Sequence, residues 1–428
     1  MKAPAPQNAP QASELDCAPE SGPEAQAPQR YLRICFVAQN AFGALSGQAS
    51  EHSGGIERQS ALWARWFAAR GHEATLLSWD VGQSEGTRVR GVRVVKMCRR
   101  EAGRPGLRFL HPRWTSLVAA LRRADAELYH YMSGDSGLGQ IALWCRARRR
   151  PLTYYVSSTW AAERALPHLR VRRERLLYRV GLFRADRVMV QTRLQQGLLR
   201  QGFGVESTIV RMPCEDLAQT RADISSARHA GGDRLLWVGR ISPEKRLEWL
   251  LDVARACPDL AFDVVGASNE DNRYVAALLA RAGGMPNVTL HGRVFDGAAL
   301  GALYHQAALL CCTSSSEGFP NTFLEAWSHA LPLVTTFDPD GLTERLGLGV
   351  VAGDVGGLVA GIRALLASPE AHRRASHNAL AYFRENHSPA VVLPQVERIF
   401  LEAVARAGPS RSRAAGPEHG VGGTTCSP

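Results

Sequence analysis

LLWVGRISPEK, Leu235–Lys245, is the stretch that decides the fold. Its first residues form an apolar, strand-like run, set off upstream by a polar segment containing Gly231-Gly232 and closed downstream by Gly239-Arg240. Ser242, Pro243 and Glu244 then offer an N-cap, a proline at the first helical position and an acidic first turn. The stretch reads as strand, corner and helix start, with Arg240 and Lys245 flanking the helix N-terminus. Ligands of open α/β sheets bind beyond the carboxyl ends of the strands, and a helix N-terminus carries roughly half a positive charge, so this corner suits a diphosphate. Lys245 is one of three lysines, with Lys2 and Lys96, in an arginine-biased chain. A compact ammonium at that point does a different job from a planar guanidinium.

A fresh strand so late in the chain also starts a second sheet. At 428 residues the protein exceeds the roughly 250–300 residues at which single cores stop growing. Upstream, the apolar runs YLRICFVA, EATLLSWD, VRVVKM, AELYHYM, PLTYYVSS, RVMVQT and STIVRM alternate with amphipathic segments, the pattern of a parallel sheet covered by helices. Downstream, AFDVVGA, VTLHGRV, ALLCCTS, PLVTT and GVVAG continue the second series. The expected fold is α/β, two Rossmann-like doubly wound domains facing across a cleft. The first domain is expected over 30–224, a linker over 225–233 and the second domain over 234–388. A C-terminal helix at 389–406, carrying the amphipathic pattern Val391 to Val404, is expected to pack back on the first domain. The tails, 1–29 and 407–428, bury too little apolar surface to offset their ordering entropy and are expected to be disordered.

The second chemical constellation is SSSEGFPNTFLEAW, Ser314–Trp327, directly after the run ALLCCTS. Glu317 and Glu325 lie eight positions apart across a strand-to-helix turn. Gly318 permits close backbone approach, Pro320 starts the helix, and the amides near Asn321 and Thr322 face whatever sits at the strand ends. At about 1.5 Å rise per residue, one acid can reach a sugar while the other reaches a ribose. Paired carboxylates also occur in simple hydrolases, but a Gly-Phe-Pro-Asn turn between them is not expected there. A third element, Ser53-Gly54-Gly55, precedes a helix over Ile56 to Arg70, and glycines at such a junction let amides approach a phosphate. With no G-x-G-x-x-G and no Gly-Lys dipeptide, dinucleotide and P-loop readings lose their main support.

The net charge of +11 is unevenly spread: residues 30–215 hold 31 Arg and Lys against 14 Asp and Glu, and the remainder is slightly acidic. Clusters such as Arg146, Arg148, Arg149, Arg150 and Arg170, Arg172, Arg173, Arg175 suit a solvated helix face or an anionic membrane surface. Nucleic acid is disfavoured, because no binding motif accompanies the charge. The nine cysteines are scattered and never in C-x-x-C spacing, which suggests neither a disulfide framework nor a zinc site, and Cys311-Cys312 read as core. The N-terminal residues lack a signal-peptide h-region and no run approaches the roughly 20 apolar residues of a membrane span, so a cytoplasmic location is expected.

From about Tyr31 to Phe400 the chain resembles a retaining glycosyltransferase of family four with the GT-B fold. The resemblance is carried by SGGIERQ, ADRVMVQTRLQQGLL, WVGRISPEKRLEWLLDVA, FDVVGAS, NVTLHGRV and above all SSSEGFPNTFLEAW. It implies a sugar nucleotide as co-substrate, with no other cofactor and no metal. The first domain would serve the acceptor and the second would bind the donor. Arg240 and Lys245 would hold the donor diphosphate, Glu325 the ribose hydroxyls, and Glu317 would sit beside the transferred sugar. The turn Gly318, Phe319, Asn321 and Thr322 would hold sugar hydroxyls and phosphate, Gly54 and Gly55 would close over the diphosphate, and backbone near Arg293 and Val294 would meet the base. The histidine common at the end of the strand matching PLTYYVSS is replaced by Ser157; His130, near the end of AELYHYM, is an imperfect substitute or a structural histidine. The expected activity is transfer of a hexose to an acceptor hydroxyl in envelope, exopolysaccharide or lipid-linked glycan assembly, with peripheral contact to anionic membrane and no nucleic-acid partner. A nucleotide-sugar epimerase on the same architecture and a non-catalytic sugar-nucleotide scaffold are the alternatives.

Overall fold

The structure is a computed structural model that describes residues 30–48, 54–215, 234–268 and 273–408. The expected linker at 225–233 and both expected tails lie outside the described residues, apart from 407 and 408. Two sheets organise the chain. The first contains β1 (Arg33–Val37), β2 (Glu73–Ser78), β3 (Arg88–Val89), β4 (Val92–Lys96), β5 (Leu128–Tyr131), β6 (Leu152–Val156), β7 (Arg187–Val190) and β8 (Thr208–Ile209), in the order β3-β4-β2-β1-β5-β6-β7-β8. The second contains β9 (Arg234–Val238), β10 (Ala261–Val265), β11 (Val288–Gly292), β12 (Leu309–Cys312), β13 (Leu333–Thr335) and β14 (Gly349–Val351), in the order β11-β10-β9-β12-β13-β14. All pairings are parallel except β3 with β4. This is the two-domain, doubly wound architecture read from the sequence.

The period of two along each strand feeds two cores per sheet. Cys35 and Val37 pack with Tyr129, Tyr131 and Tyr154 on one face, whereas Ile34 and Phe36 pack with Leu76 and Tyr155 on the other. In the second sheet the adjacent Cys311 and Cys312 point to opposite faces, each into a separate apolar cluster, and both are buried. The helix Pro389–Ala407 lies on the first sheet: Val392, Leu393, Val396, Phe400 and Ala403 share the cluster of Phe36, Trp63 and Phe67. Glu397 on that helix accepts from His72 Nε2 at 2.6 Å and pairs with Arg70 at 3.3 Å. Because the Leu32 amide donates to His72 Nδ1, the ring proton sits on Nε2 and faces the carboxylate.

Two local expectations differ from what is observed. Pro243–Lys245 is a single 3-10 turn rather than the start of the α-helix, and Ser242 makes no side-chain cap bond. Arg246 interrupts the backbone at φ +48°, and the α-helix proper is Leu247–Ala256. The strand β3 has no counterpart among the apolar runs of the sequence, because it is two residues long and closes onto β4 through Arg90-Gly91, both at positive φ.

Both sheets reverse direction of winding beside their first strand, between β1 and β5 and between β9 and β12. Such switch points leave a crevice at the carboxyl ends of the flanking strands. The segments beyond β9 and β12 are Gly239–Lys245 and Thr313–Glu317, the two stretches singled out for chemistry.

Candidate active site in the interdomain cleft

The corner after β9 is tied to the loop after β12 by backbone and side chain together. The Thr313 hydroxyl donates to the Lys245 carbonyl at 2.7 Å and accepts from Trp237 Nε1 at 3.1 Å. The Ser315 amide donates to the Glu244 carbonyl at 2.8 Å. Arg246, stacked over Trp249, donates to the carbonyls of Thr313 and Ser314 and to the Thr336 hydroxyl. These bonds put Lys245 beside Glu317: its Nζ hydrogen-bonds Glu317 Oε1, with both side chains largely buried. Arg240 stands at the rim, 60% exposed, with Glu244 at 3.6 Å as its ion-pair partner among the described residues.

Glu325 lies on the helix Asn321–Ser328, which follows the turn and has Pro320 at its N-cap. The carboxylate is buried, and its partners come from both domains. Arg58 of the helix Gly55–Ala69 approaches Oε1 at 2.7 Å, and the Tyr304 hydroxyl donates to Oε2 at 2.7 Å. Glu325 raises the Arg58 pKa, while burial and then the same carboxylate push the Tyr304 phenol up.

The Glu317–Asn321 turn presses against the first domain. An added Cβ on Gly318 would stand 2.7 Å from the Ser157 carbonyl oxygen, and one on Gly55 would collide with the Asn321 side chain. At Gly318 the obstacle is backbone and only glycine permits the approach, whereas at Gly55 the Asn321 amide would have to turn aside. Thr159 donates to the Glu317 carbonyl at 2.8 Å, the Phe319 amide donates to Gln191 at 2.9 Å, and Gln59 donates to Asn321 at 3.0 Å. Glu317, Lys245, Glu325, Gly55, Gly318, Asn321 and Ser157 are therefore gathered along one cleft.

Other expected site residues are placed differently. The Phe319 amide is committed to Gln191 and its buried ring packs edge-on with Trp327 and against His387, so neither group is presented to the cleft as expected. The Gly54 amide is taken by the Glu57 carboxylate at 2.9 Å, a group whose pKa burial raises. His130 belongs to the core: it is 1% exposed, stacked on Trp63 at 5.0 Å and bonded to Thr153, and burial lowers its pKa to about 3. Ser157 follows β6 directly and donates to the Met132 carbonyl at 2.8 Å. Arg293 follows β11 and lies over Phe295, and Val294 packs on the cluster that holds Tyr304. Thr322 is half-buried in the first turn of its helix.

Residues absent from the sequence-derived set are Arg58, Gln59, Tyr304, Thr159 and Gln191. Arg58 and Gln59 sit inside SGGIERQ, so a face count from Gly55 would have found them, and Gln191 sits inside ADRVMVQTRLQQGLL; Tyr304 and Thr159 carry no local signal. Among the described residues no group of three His, Cys, Asp or Glu gathers as for a metal, and no helix is long and apolar enough to cross a membrane.

Both halves of the chain match families of known proteins. The family described as Glycosyltransferase Family 4 matches residues 53–214, and that described as Glycosyl transferases group 1 matches residues 232–368. The fold is similar to that of Anabaena HepE in complex with UDP and glucose (TM-score 0.69, 18% identity, 86% of this chain and 99% of that one). It is also similar to sucrose-phosphate synthase from Thermosynechococcus elongatus (TM-score 0.71, 18% identity, 87% and 99% covered). A curated relative, the UDP-N-acetylglucosamine–peptide N-acetylglucosaminyltransferase GtfA subunit of Streptococcus pneumoniae, is 27% identical over 159 residues, 35% of this chain and 30% of the relative. The chain thus spans about a third of the length of the curated relatives it matches. With both halves matched in chain order around the cleft just described, the chain belongs to the group 1, family 4 glycosyltransferases and has their GT-B fold.

Proposed function

We propose that the chain is a retaining glycosyltransferase that moves a hexose from a nucleoside-diphosphate donor to an acceptor hydroxyl. The observation that carries the reading is the Lys245–Glu317 contact at the β9–β12 switch point, with the buried carboxylate of Glu325 further along the same turn and helix. In this reading the diphosphate lies at the corner of Arg240 and Lys245, the sugar lies beside Glu317 and the ribose meets Glu325. As the glycosidic bond breaks through an oxocarbenium-like state, negative charge grows on the leaving phosphate. Lys245 and Arg240 stabilise that charge, and it is the growth of charge that makes them catalytic rather than only binding groups. The acceptor hydroxyl attacks on the face the phosphate leaves and passes its proton to the departing phosphate oxygen, and the contacts between Glu317–Asn321 and the first domain exclude water from the reacting carbon.

The transferase descriptions of the relatives favour transfer over epimerisation. UDP and UDP-sugars are the first donors to try, because the similar structures hold them. A thermal-shift panel of UDP, GDP and ADP sugars tests the donor site, since a ligand that binds only the folded state stabilises it by an amount that grows with the logarithm of one plus the ligand concentration over Kd. One nucleotide series is expected to stabilise the chain; no shift with any of the three would overturn the reading.

For the acceptor, we propose a lipid-linked glycan met at an anionic, cytoplasmic membrane surface. The support is one face of the first domain. Leu107, Leu110 and Leu176 are exposed there among Arg104, Arg108 and Arg172, and Arg173 over the Phe109 ring joins the two segments. Apolar side chains enter the interface while arginines meet headgroup charge. Flotation with anionic vesicles is expected to carry the protein, less so at high salt, and Leu107→Glu with Leu110→Glu to release it; indifference to both lipid charge and these substitutions would contradict the assignment.

A further inference from the structure

Glu325 is asked to recognise a neutral ribose, yet it is a buried carboxylate, and a buried charge is costly unless another charge compensates it. Its compensation comes from across the cleft. On the helix Gly55–Ala69, residues 55, 58 and 59 occupy positions i, i+3 and i+4, which share one face. On the helix Asn321–Ser328, residues 321 and 325 stand one turn apart on the facing side. The two faces meet residue for residue: Gly55 against Asn321, Gln59 to Asn321 at 3.0 Å, and Arg58 to Glu325 at 2.7 Å. Gln59 donates in addition to the Pro213 carbonyl at 2.8 Å, which fixes this face of the helix to the segment leaving the first domain.

We infer that Arg58 is the positioning residue for Glu325, a counter-ion supplied by the opposite domain that holds the ribose-reading carboxylate charged and oriented only when the cleft is closed. The inference rests on the proposal that Glu325 receives the ribose. Each carboxylate oxygen has two lone-pair sites, so Oε1 on Arg58 and Oε2 on Tyr304 both keep capacity for a ribose hydroxyl. Donor affinity and domain closure then share a free energy of coupling, because ribose binds best to the state in which Arg58 is engaged. Arg58 itself touches no reacting atom. Its loss should act on recognition of the ribose rather than on binding of the base.

The test uses the full chain and six probes: UDP, GDP and ADP with their 2′-deoxy counterparts. Dissociation constants are measured calorimetrically for wild type, Arg58→Ala, Arg58→Lys and Glu325→Gln, with far-ultraviolet circular dichroism to confirm folding. For the base that binds, wild type is expected to prefer the ribonucleotide by roughly tenfold, the scale of a hydrogen bond to a charged group. Glu325→Gln should erase that preference, Arg58→Ala should reduce it to about twofold, and Arg58→Lys should restore part of it. Should wild type bind ribo and 2′-deoxy forms equally, or bind none of the six, the ribose role of Glu325 fails and the inference with it. If Glu325→Gln loses the preference while Arg58→Ala and Arg58→Lys both keep it in full, the ribose reading stands and Arg58 is only an interdomain contact. An unfolded Arg58→Ala leaves Arg58→Lys to decide, since an orienting role predicts an intermediate preference there and a structural one predicts the wild-type value.

Discussion

Lys245 and Glu317 neutralise one another, and that is how two opposite charges come to lie in a largely buried place. When a diphosphate arrives, the ammonium has a better anion to meet. Lys245→Ala and Arg240→Ala are each expected to lower turnover by about 10²-fold, the scale of losing one preorganised electrostatic donor. Steady-state rates with a matched donor and acceptor measure this, and near-normal turnover in both variants would remove the assignment. Two other buried groups bear on stability instead. Burial lowers the pKa of His130 and of His387 to about 3 from 6.5, so each is neutral when folded at pH 5 while its unfolded counterpart takes up a proton. Their stabilising contribution is complete above pH 6.5 and is lost as pH falls from there toward 3, by about 2 kcal/mol per histidine at pH 5. Urea titrations at pH 7 and pH 5 should therefore show a smaller loss for His130→Phe than for wild type. The acids, the lysine and the two glycines of the cleft were legible because each stands in a short run of unusual chemistry. Tyr304 and Gln191 were not, since a tyrosine in an ordinary helix and a glutamine after a strand acquire their roles only from what the fold sets opposite them.

At the scale of elements, the helices Gly55–Ala69 and Asn321–Ser328 meet through Gly55, Arg58 and Gln59 on one and Asn321 and Glu325 on the other, and Gly55 leaves room for the Asn321 amide between them. Gly55→Val should keep the first domain folded while holding the cleft apart. We expect a fall of at least tenfold in kcat/KM, because a displacement of about 1 Å can cost 10²-fold when reacting groups must be aligned. An unchanged kcat/KM with an unchanged melting temperature would show that the approach is dispensable. Strands were easily read, since thirteen of the fourteen among the described residues fall on apolar runs of the sequence. The missed one, β3, is held by its turn rather than by any apolar pattern. The helix after β9 was expected at Pro243, where proline and an acid give a good start signal. The loop after β12 decides otherwise: Arg246 takes a left-handed backbone and spends its guanidinium on the Thr313 and Ser314 carbonyls, so a 3-10 turn precedes the helix. A tertiary partner overrode a local cap, which no window of sequence can show.

In the molecule as a whole, the C-terminal helix Pro389–Ala407 returns to the first sheet after the second domain is complete. Glu397 makes that return specific, because the buried carboxylate is met by His72 and Arg70 of the first domain. Removing it in Glu397→Ala should destabilise the protein by about 3 kcal/mol, the scale of breaking a buried pair from one side. The same change should leave nucleotide affinity untouched, which calorimetry on the folded variant checks. The two-domain architecture could be foreseen from alternating apolar runs and a polar break, whereas the face-to-face docking could not, for it depends on Gly55, Gly318 and Arg58 meeting residues more than 150 positions away. Everything proposed for the cleft requires that one sugar nucleotide bridge the groups gathered there. The most direct measurement is a crystal structure of the chain with the nucleoside diphosphate that stabilises it most. The diphosphate is expected at Lys245 and Arg240 and the ribose hydroxyls on Glu325; a nucleotide bound elsewhere, with Lys245 still paired to Glu317, would overturn the assignment.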